Sequence, residues 1–451
     1  MYKQLGKYAK PLVATASLLL ALGASEAYAV VRGVPGPTNP TFNLTAKADY
    51  ISTADGQALW MWGYTNGVTM QYPGPTLIVN QGDTVTINLT NNLTDINGAP
   101  LVNTPVSIVF PGQSGVVATG GTTGLLTNEA AVCTAAPCPT VSYTFTASQP
   151  GTYLYESGTR PDLQTEMGLV GSIVVRPTSG GAVIPNQAYG SANTSFDNEY
   201  LFLLTEADID VHTAVEQGNL SPDLTNRHAV LWFINGRNGP DTLLAYNYPL
   251  LPTQPYDALA RTIPGKRTLL RVVNAGTDLH PFHTHGNNVI TIARDGRLLE
   301  SAANASVGAA PGYPNLSVSD YTLKAIPGET YDGIWTWTGA GLGWDIYGYT
   351  SANCPNPYPA DKMTQLATDR CVAVPVNLPS PGGITVGQGF SGGPYLGTAG
   401  ALPAGESTLN VNFGMFFMWH SHTERELTNN DIFPGGMMTF MVVEPPSVVI
   451  P

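Results

Sequence analysis

Histidine is the residue whose placement in this chain could carry chemistry. There are seven. Five fall in two short motifs: His280, His283 and His285 in HPFHTHG, and His420 and His422 in WHSHT. Side chains two residues apart on a β-strand share a face. His283 and His285 therefore present two imidazoles on one side of a strand, and His420 and His422 present two more. If the strands are neighbours, four neutral imidazoles converge into a donor set suited to copper, zinc, iron or nickel. The same residues also admit a metal-free reading, in which hydrogen-bonded histidines brace a scaffold. His212 and His228 stand alone and read as surface or capping residues.

The elements that must position these groups are strands. Residues 76–93, TLIVNQGDTVTINLTNNL, alternate apolar and polar side chains over two runs separated by a Gly-Asp turn. Residues 140–157 alternate in the same way around Gln149-Pro150-Gly151. No amphipathic helix of ordinary length is legible. The 49 glycines, 37 prolines and only 11% charged residues suit many short strands joined by turns. The net charge of −13 argues against nucleic acid or an anionic membrane surface as a partner.

Lys3, Lys7 and Lys10, an apolar run over 12–22 and the small residues of Ala27-Tyr28-Ala29 read as a secretory signal over residues 1–29. No later stretch is apolar and long enough to span a bilayer. The expected address is the periplasm or the cell exterior. In that setting the four cysteines read as two local disulfides, Cys133–Cys138 and Cys354–Cys371, with free thiols as the alternative.

The chain repeats itself. Residues 153–159, YLYESGT, line up with 417–423, FMWHSHT, and 168–177 with 435–446. A duplicated β-sandwich explains this economically. The expected organisation is a first domain over 30–180, a linker over 181–198 and a second domain over 199–451. The second carries an insertion at about 339–405 that is rich in Gly, Pro, Asn and aromatics. Trp335, Trp337, Trp344, Tyr347 and Tyr349 either pack this segment onto its sandwich or form a binding surface. Met415, Met418, Met437, Met438 and Met441 gather near the last motif and read as core filling, with soft copper contacts as the alternative.

Over nearly all of the mature length the chain resembles the multicopper oxidases. YPGPTLIVNQGDTVTINLTNNL is similar to the opening of their first domain, WFINGR and GKRTLLRVVNAG to the start of a later one. HPFHTHG and WHSHTEREL with the downstream Met437 are similar to the two copper motifs of their last domain. The resemblance implies an all-β protein of two cupredoxin-like Greek-key sandwich domains, the second with a long loop insertion. It implies copper as cofactor, and trimers are common among such two-domain relatives. In that family four histidine-rich motifs build a type 1 copper and a trinuclear cluster. Carried over, His280 matches a type 1 ligand, Met437 lies near the axial position, and His283, His285, His420 and His422 match cluster ligands.

The departures are as informative. Ser421 stands at the type 1 cysteine and Glu426 at the following type 1 histidine. A hydroxyl cannot replace the soft thiolate of a blue site. Val109-Phe110-Pro111-Gly112 and Glu156-Ser157-Gly158 replace the two first-domain copper motifs, so half the cluster ligands are missing. Glu156 reads either as a substitute carboxylate or as a solvated residue at a strand end. His280 could act behind the ligands, and Ser421 should point to the opposite face of its strand from them. The leading expectation is an exported copper-binding protein with a four-histidine site and no type 1 copper. The alternatives are an oxidase using a reduced or partner-completed cluster, and a structural protein of the cell surface or an extracellular assembly.

Overall fold

The structure is a computed structural model that describes residues 31–302, 311–375, 394–397 and 410–450. The expected signal at 1–29 and residues 376–393 and 398–405 of the expected insertion lie outside these residues. Strands dominate, as the alternating patterns and dense turn residues require. The first half contains β1 (Thr41–Ser52), β2 (Ala58–Thr65), β3 (Leu77–Asn80), β4 (Thr84–Asn91), β5 (Thr140–Thr146), β6 (Gly151–Glu156) and β7 (Val170–Arg176). In one sheet β1 lies between β2, antiparallel, and β4, parallel, and β5 follows β4. In the facing sheet β7 lies between β3, parallel, and β6, antiparallel.

The second half contains β8 (Asn198–Ala207), β9 (Leu231–Ile234), β10 (Ala260–Thr262), β11 (Thr268–Asn274), β12 (His280–Thr284), β13 (Val289–Arg294), β14 (Thr322–Ala325), β15 (Thr330–Trp335), β16 (Met415–Ser421) and β17 (Met438–Val443). Its pairing repeats that of the first. β8 lies between β9, antiparallel, and β11, parallel, and β15 follows β11. β17 lies between β10, parallel, and β16, antiparallel. The repeat reaches the candidate site: Val109 bridges Glu156 in the first half where His283 faces His420 in the second.

Strand β4 shows the link from sequence to core. Val85, Ile87 and Leu89 are fully buried, while the threonines and asparagines between them face outward. The turn before it is made by Gly82, whose positive φ of 91° suits glycine. β6 departs from the expected alternation, because five of its six residues are buried. The cause is packing between the halves. Leu154 of β6 and Val170 of β7 join a core with Leu203, Phe233 and Val273, so the outer face of this sheet is covered too. A buried ion-pair group reinforces the junction: Arg271 of β11 donates Nε to Glu199 of β8 at 2.6 Å, and Arg176 of β7 pairs with the same carboxylate.

The aromatic run at the start of the insertion packs onto the second sandwich: Trp335, Trp337 and Tyr347 belong to its core. A short helix over Ile209–Glu216, capped by Asp208, has no counterpart in the sequence reading. It buries Val211, His212 and Val215, and eight residues are too few for a clear helical period.

Both expected disulfides are formed, Cys133–Cys138 and Cys354–Cys371. The sequence separations are 5 and 17. On the chain-entropy account the longer loop contributes about 3 kcal/mol and the shorter about 2. Replacing both residues of Cys354–Cys371 by serine should therefore lower the urea midpoint more than the same change at Cys133–Cys138. Equal shifts would show that loop length does not govern their contributions.

Candidate metal centre

Alternation along β12 and β16 sorts the residues of the two motifs. Phe282 and Trp419 point into the second sandwich, where Trp419 packs against Trp335 with ring centroids 5.5 Å apart. His280 and Ser421 share that inward side and are fully buried. His283 and His420, directly opposite one another across the antiparallel pair, take the outer face. His285 and His422 continue that face just beyond the strand ends. The backbone N–H of His285 donates to the Met418 carbonyl at 3.2 Å, and that of His422 to the Pro281 carbonyl at 2.8 Å.

The four imidazoles converge. Ring centroids lie 4.8 Å apart for His283 and His285, 5.4 Å for His283 and His420, 5.2 Å for His285 and His420, and 4.9 Å for His283 and His422. One ring nitrogen from each of His283, His285 and His420 falls in a group spanning at most 4.8 Å. His422, exposed like His285, flanks this group. Neighbours set the ring orientations. The Nδ1–H of His420 donates to the Ser421 carbonyl at 2.6 Å, which leaves its Nε2 as a lone-pair donor. That Nε2 lies 3.2 Å from Nε2 of His285. Two nitrogens about 2.0 Å from one tetrahedral ion would lie roughly 3.3 Å apart, so this separation fits a shared metal. His283 contacts the Thr322 hydroxyl through Nδ1 at 3.0 Å, and the Tyr321 ring stands edge-on to it at 5.7 Å. Such contacts behind the ligands orient a metal-binding histidine.

The electrostatics keep the group uncharged. Burial, with the neighbouring imidazoles, holds His420 down at about 4. Burial and the nearby histidines also lower His283 and His285. Free-base imidazole is the form that binds a metal.

The inward side is different. His280 bonds through Nε2 to Glu206 Oε2 and through Nδ1 to Glu426 Oε2, both at 2.9 Å. Burial alone would lower this imidazole, but the two carboxylates hold it up at about 9. Burial likewise works against an ionised Glu206, and the bond to His280 together with the Arg227 charge holds it down at about 2. Arg227 reaches Glu206 at 2.7 Å and Glu166 at 2.6 Å. Met437 is fully buried in the apolar core. The Ser421 hydroxyl accepts from the Thr423 amide at 3.2 Å.

These pKa displacements give the stability a pH window. His280, raised from 6.5 to about 9, contributes fully below pH 6.5, and its contribution is lost as pH rises through 9. Glu206, lowered from 4.5 to about 2, contributes above pH 4.5, and its contribution is lost as pH falls through 2. The unfolding free energy of the metal-free chain should therefore fall by about 3 kcal/mol across the His280 window. Urea titrations at a series of pH values measure it; a flat profile from pH 6.5 to 9 would contradict the ion pairing.

Glu156 is not among the three residues whose ligand atoms gather within 4.8 Å; it bridges Val109 at the equivalent position of the first half. It is half-buried, and burial raises its carboxyl. His212, expected at the surface or as a cap, is instead fully buried within the Ile209–Glu216 helix, its ring held between the carbonyls of Trp60 and Glu166 at 2.6 and 3.1 Å. His228 is exposed as expected, beside Arg425. Glu206 and Thr322 were not singled out, since neither lies in a motif and only the sheet pairing brings them to the histidines.

Comparison with known proteins agrees with this architecture. Residues 45–104 match the family model described as multicopper oxidase. An L-ascorbate oxidase of Cucurbita pepo var. melopepo is 34% identical over 114 residues, 25% of this chain and 18% of that protein. The iron transport multicopper oxidase fetC of Epichloe festucae (strain E2368) is 36% identical over 111 residues, 24% of this chain and 15% of that protein. The matches thus span less than a fifth of these relatives' lengths. Among solved structures, the multicopper oxidase mgLAC is similar over 91% of this chain and 87% of its own, with a TM-score of 0.53 at 18% identity. The blue copper oxidase from Nitrosomonas europaea is similar over 90% and 85%, with a TM-score of 0.50 at 18% identity. These two likenesses establish the cupredoxin-like fold. Residues 45–104 are thus similar to the multicopper oxidases in sequence, and the chain shares their cupredoxin-like fold.

Proposed function

We propose that this chain is an exported copper-binding protein, with the metal held by His283, His285, His420 and His422 and no blue copper site. The observation that carries the reading is the convergence of three imidazole nitrogens within 4.8 Å, on rings kept free-base by burial. The donor set does not fit a three-ion cluster, because Val109, Pro111, Glu156 and Gly158 stand where the first-half histidines would be. It does fit a single ion. Bound copper would supply Lewis-acid or one-electron redox chemistry. Around it, Ser421 and Thr322 hold the His420 and His283 rings, and the exposed His285 and His422 leave one side open to solvent. In this reading residues 1–29 are removed on export, and 30–180 and 199–451 are the two domains.

The test is copper loading of the mature chain, followed by elemental analysis, visible absorption and electron paramagnetic resonance. One tightly held copper per chain without an intense blue band is the expected result. A folded protein that retains none overturns the reading. Oxygen consumption with an electron donor would favour an oxidase instead. Thr322→Val should weaken copper binding roughly tenfold, because the His283 ring loses its polar partner. Competition with a chelator of known affinity measures this; an unchanged affinity would remove Thr322 from the account.

A further inference from the structure

The position where the family keeps its type 1 copper is closed by ionic contacts. Both ring nitrogens of His280 are engaged by carboxylates, so neither offers a lone pair to a metal. Ser421 supplies a hydroxyl in place of a thiolate, and Met437 is sealed in the apolar core. The carboxylates are anchored in turn. Glu206 Oε1 accepts from the Thr277 amide at 2.6 Å, the Thr277 hydroxyl at 2.9 Å and Arg227 at 2.7 Å. Gly276 makes room for this: a Cβ there would lie 1.8 Å from Glu206 Oε2. Glu426 belongs to the short turn of helix over Glu424–Leu427 that follows β16.

The connections explain what the group can do. His280 opens β12, three residues before His283. Glu426 follows His422 by four residues, and Glu206 lies near the end of β8. One imidazole thus ties the strand carrying His283 and His285 to the segment carrying His420 and His422, and both to the sheet behind them. We infer that Glu206–His280–Glu426 is a metal-free clamp that replaces the type 1 site and positions the two histidine pairs at the spacing a single metal ion needs. His280 is then a positioning residue. The inference rests on the four-histidine group being a metal site, so its test includes a measurement that needs no metal.

The experiment uses the full mature chain with 15N-labelled histidine. Glu426→Gln keeps the shape and removes the charge of one jaw. Leu89→Ala, in the core of the first half, serves as the control for a general loss of stability. In the metal-free protein, Glu426→Gln should shift the ring 15N signals and tautomer balance of His283 and His420. On loading with copper it should weaken affinity about tenfold and change the paramagnetic resonance spectrum. Leu89→Ala should leave all three unmoved. If Glu426→Gln lowers stability but alters neither the ring signals nor copper affinity, the clamp is only a structural brace and the inference fails. It fails equally if a variant lacking His283, His285, His420 and His422 still takes up copper that broadens the His280 signals. If the wild-type chain binds no copper while Glu426→Gln still moves the ring signals, the copper reading falls and the positioning by the clamp stands.

Discussion

His420→Ala is expected to abolish retention of copper while leaving the chain folded. His420 contacts all three other rings: its Nε2 lies 3.2 Å from that of His285, and its ring lies 5.4 Å from His283 and 5.8 Å from His422. The bond to the Ser421 carbonyl fixes which nitrogen it offers. Removing it deletes one ligand and the element that faces His283 across the strand pair. A loss of at least about 100-fold in affinity follows, or about 2.7 kcal/mol at the usual conversion. The stability change should be small by comparison, because the ring lies on the outer face of β16 and not within the core. His422→Ala should weaken binding less, about tenfold, because His422 lies outside the three-nitrogen group and is exposed. Chelator competition on the two variants orders the effects. Wild-type affinity in His420→Ala would remove the convergence of imidazoles as the basis for the site.

The second large effect is on folding. Glu206→Ala should destabilise the metal-free chain by about 3–5 kcal/mol, the usual result of removing one partner from a buried ion pair. Glu206 is fully buried and receives His280, Arg227, Thr277 and the Asp278 amide. Its removal leaves Arg227 with Glu166 and Asp278, leaves His280 with Glu426 alone, and opens a cavity. Denaturant unfolding measures the change. A loss below about 1 kcal/mol would mean that the desolvation of these charges already cancels their attraction in the wild type.

The residues of the candidate site were legible because their information is local. Two His-x-His pairs on period-2 strands must each present both rings to one face, whatever the rest of the chain does. The same periodicity sets the inward face of β4 and places Ser421 away from the ligands. The cysteine spacings were short enough to imply their own pairing. The meaning of His280 was not local. Its partner Glu206 precedes it by 74 residues, in a strand with no motif, and meets it only because β8 pairs with β11 and stacks behind β12. The same holds for Thr322, which reaches His283 through the β12–β14 register.

β6 makes the general point from the core. Its alternation predicted one dry face, yet both are buried because the second half covers the outer one. The sequence by itself determined which residues share a strand face, and it offered the cysteine pairing and the candidate donors. Only the tertiary structure decided that the four imidazoles meet and that His280 lies between the carboxylates of Glu206 and Glu426. A side chain's face follows from its neighbours in the chain, whereas its partners follow from sheet order and packing between halves.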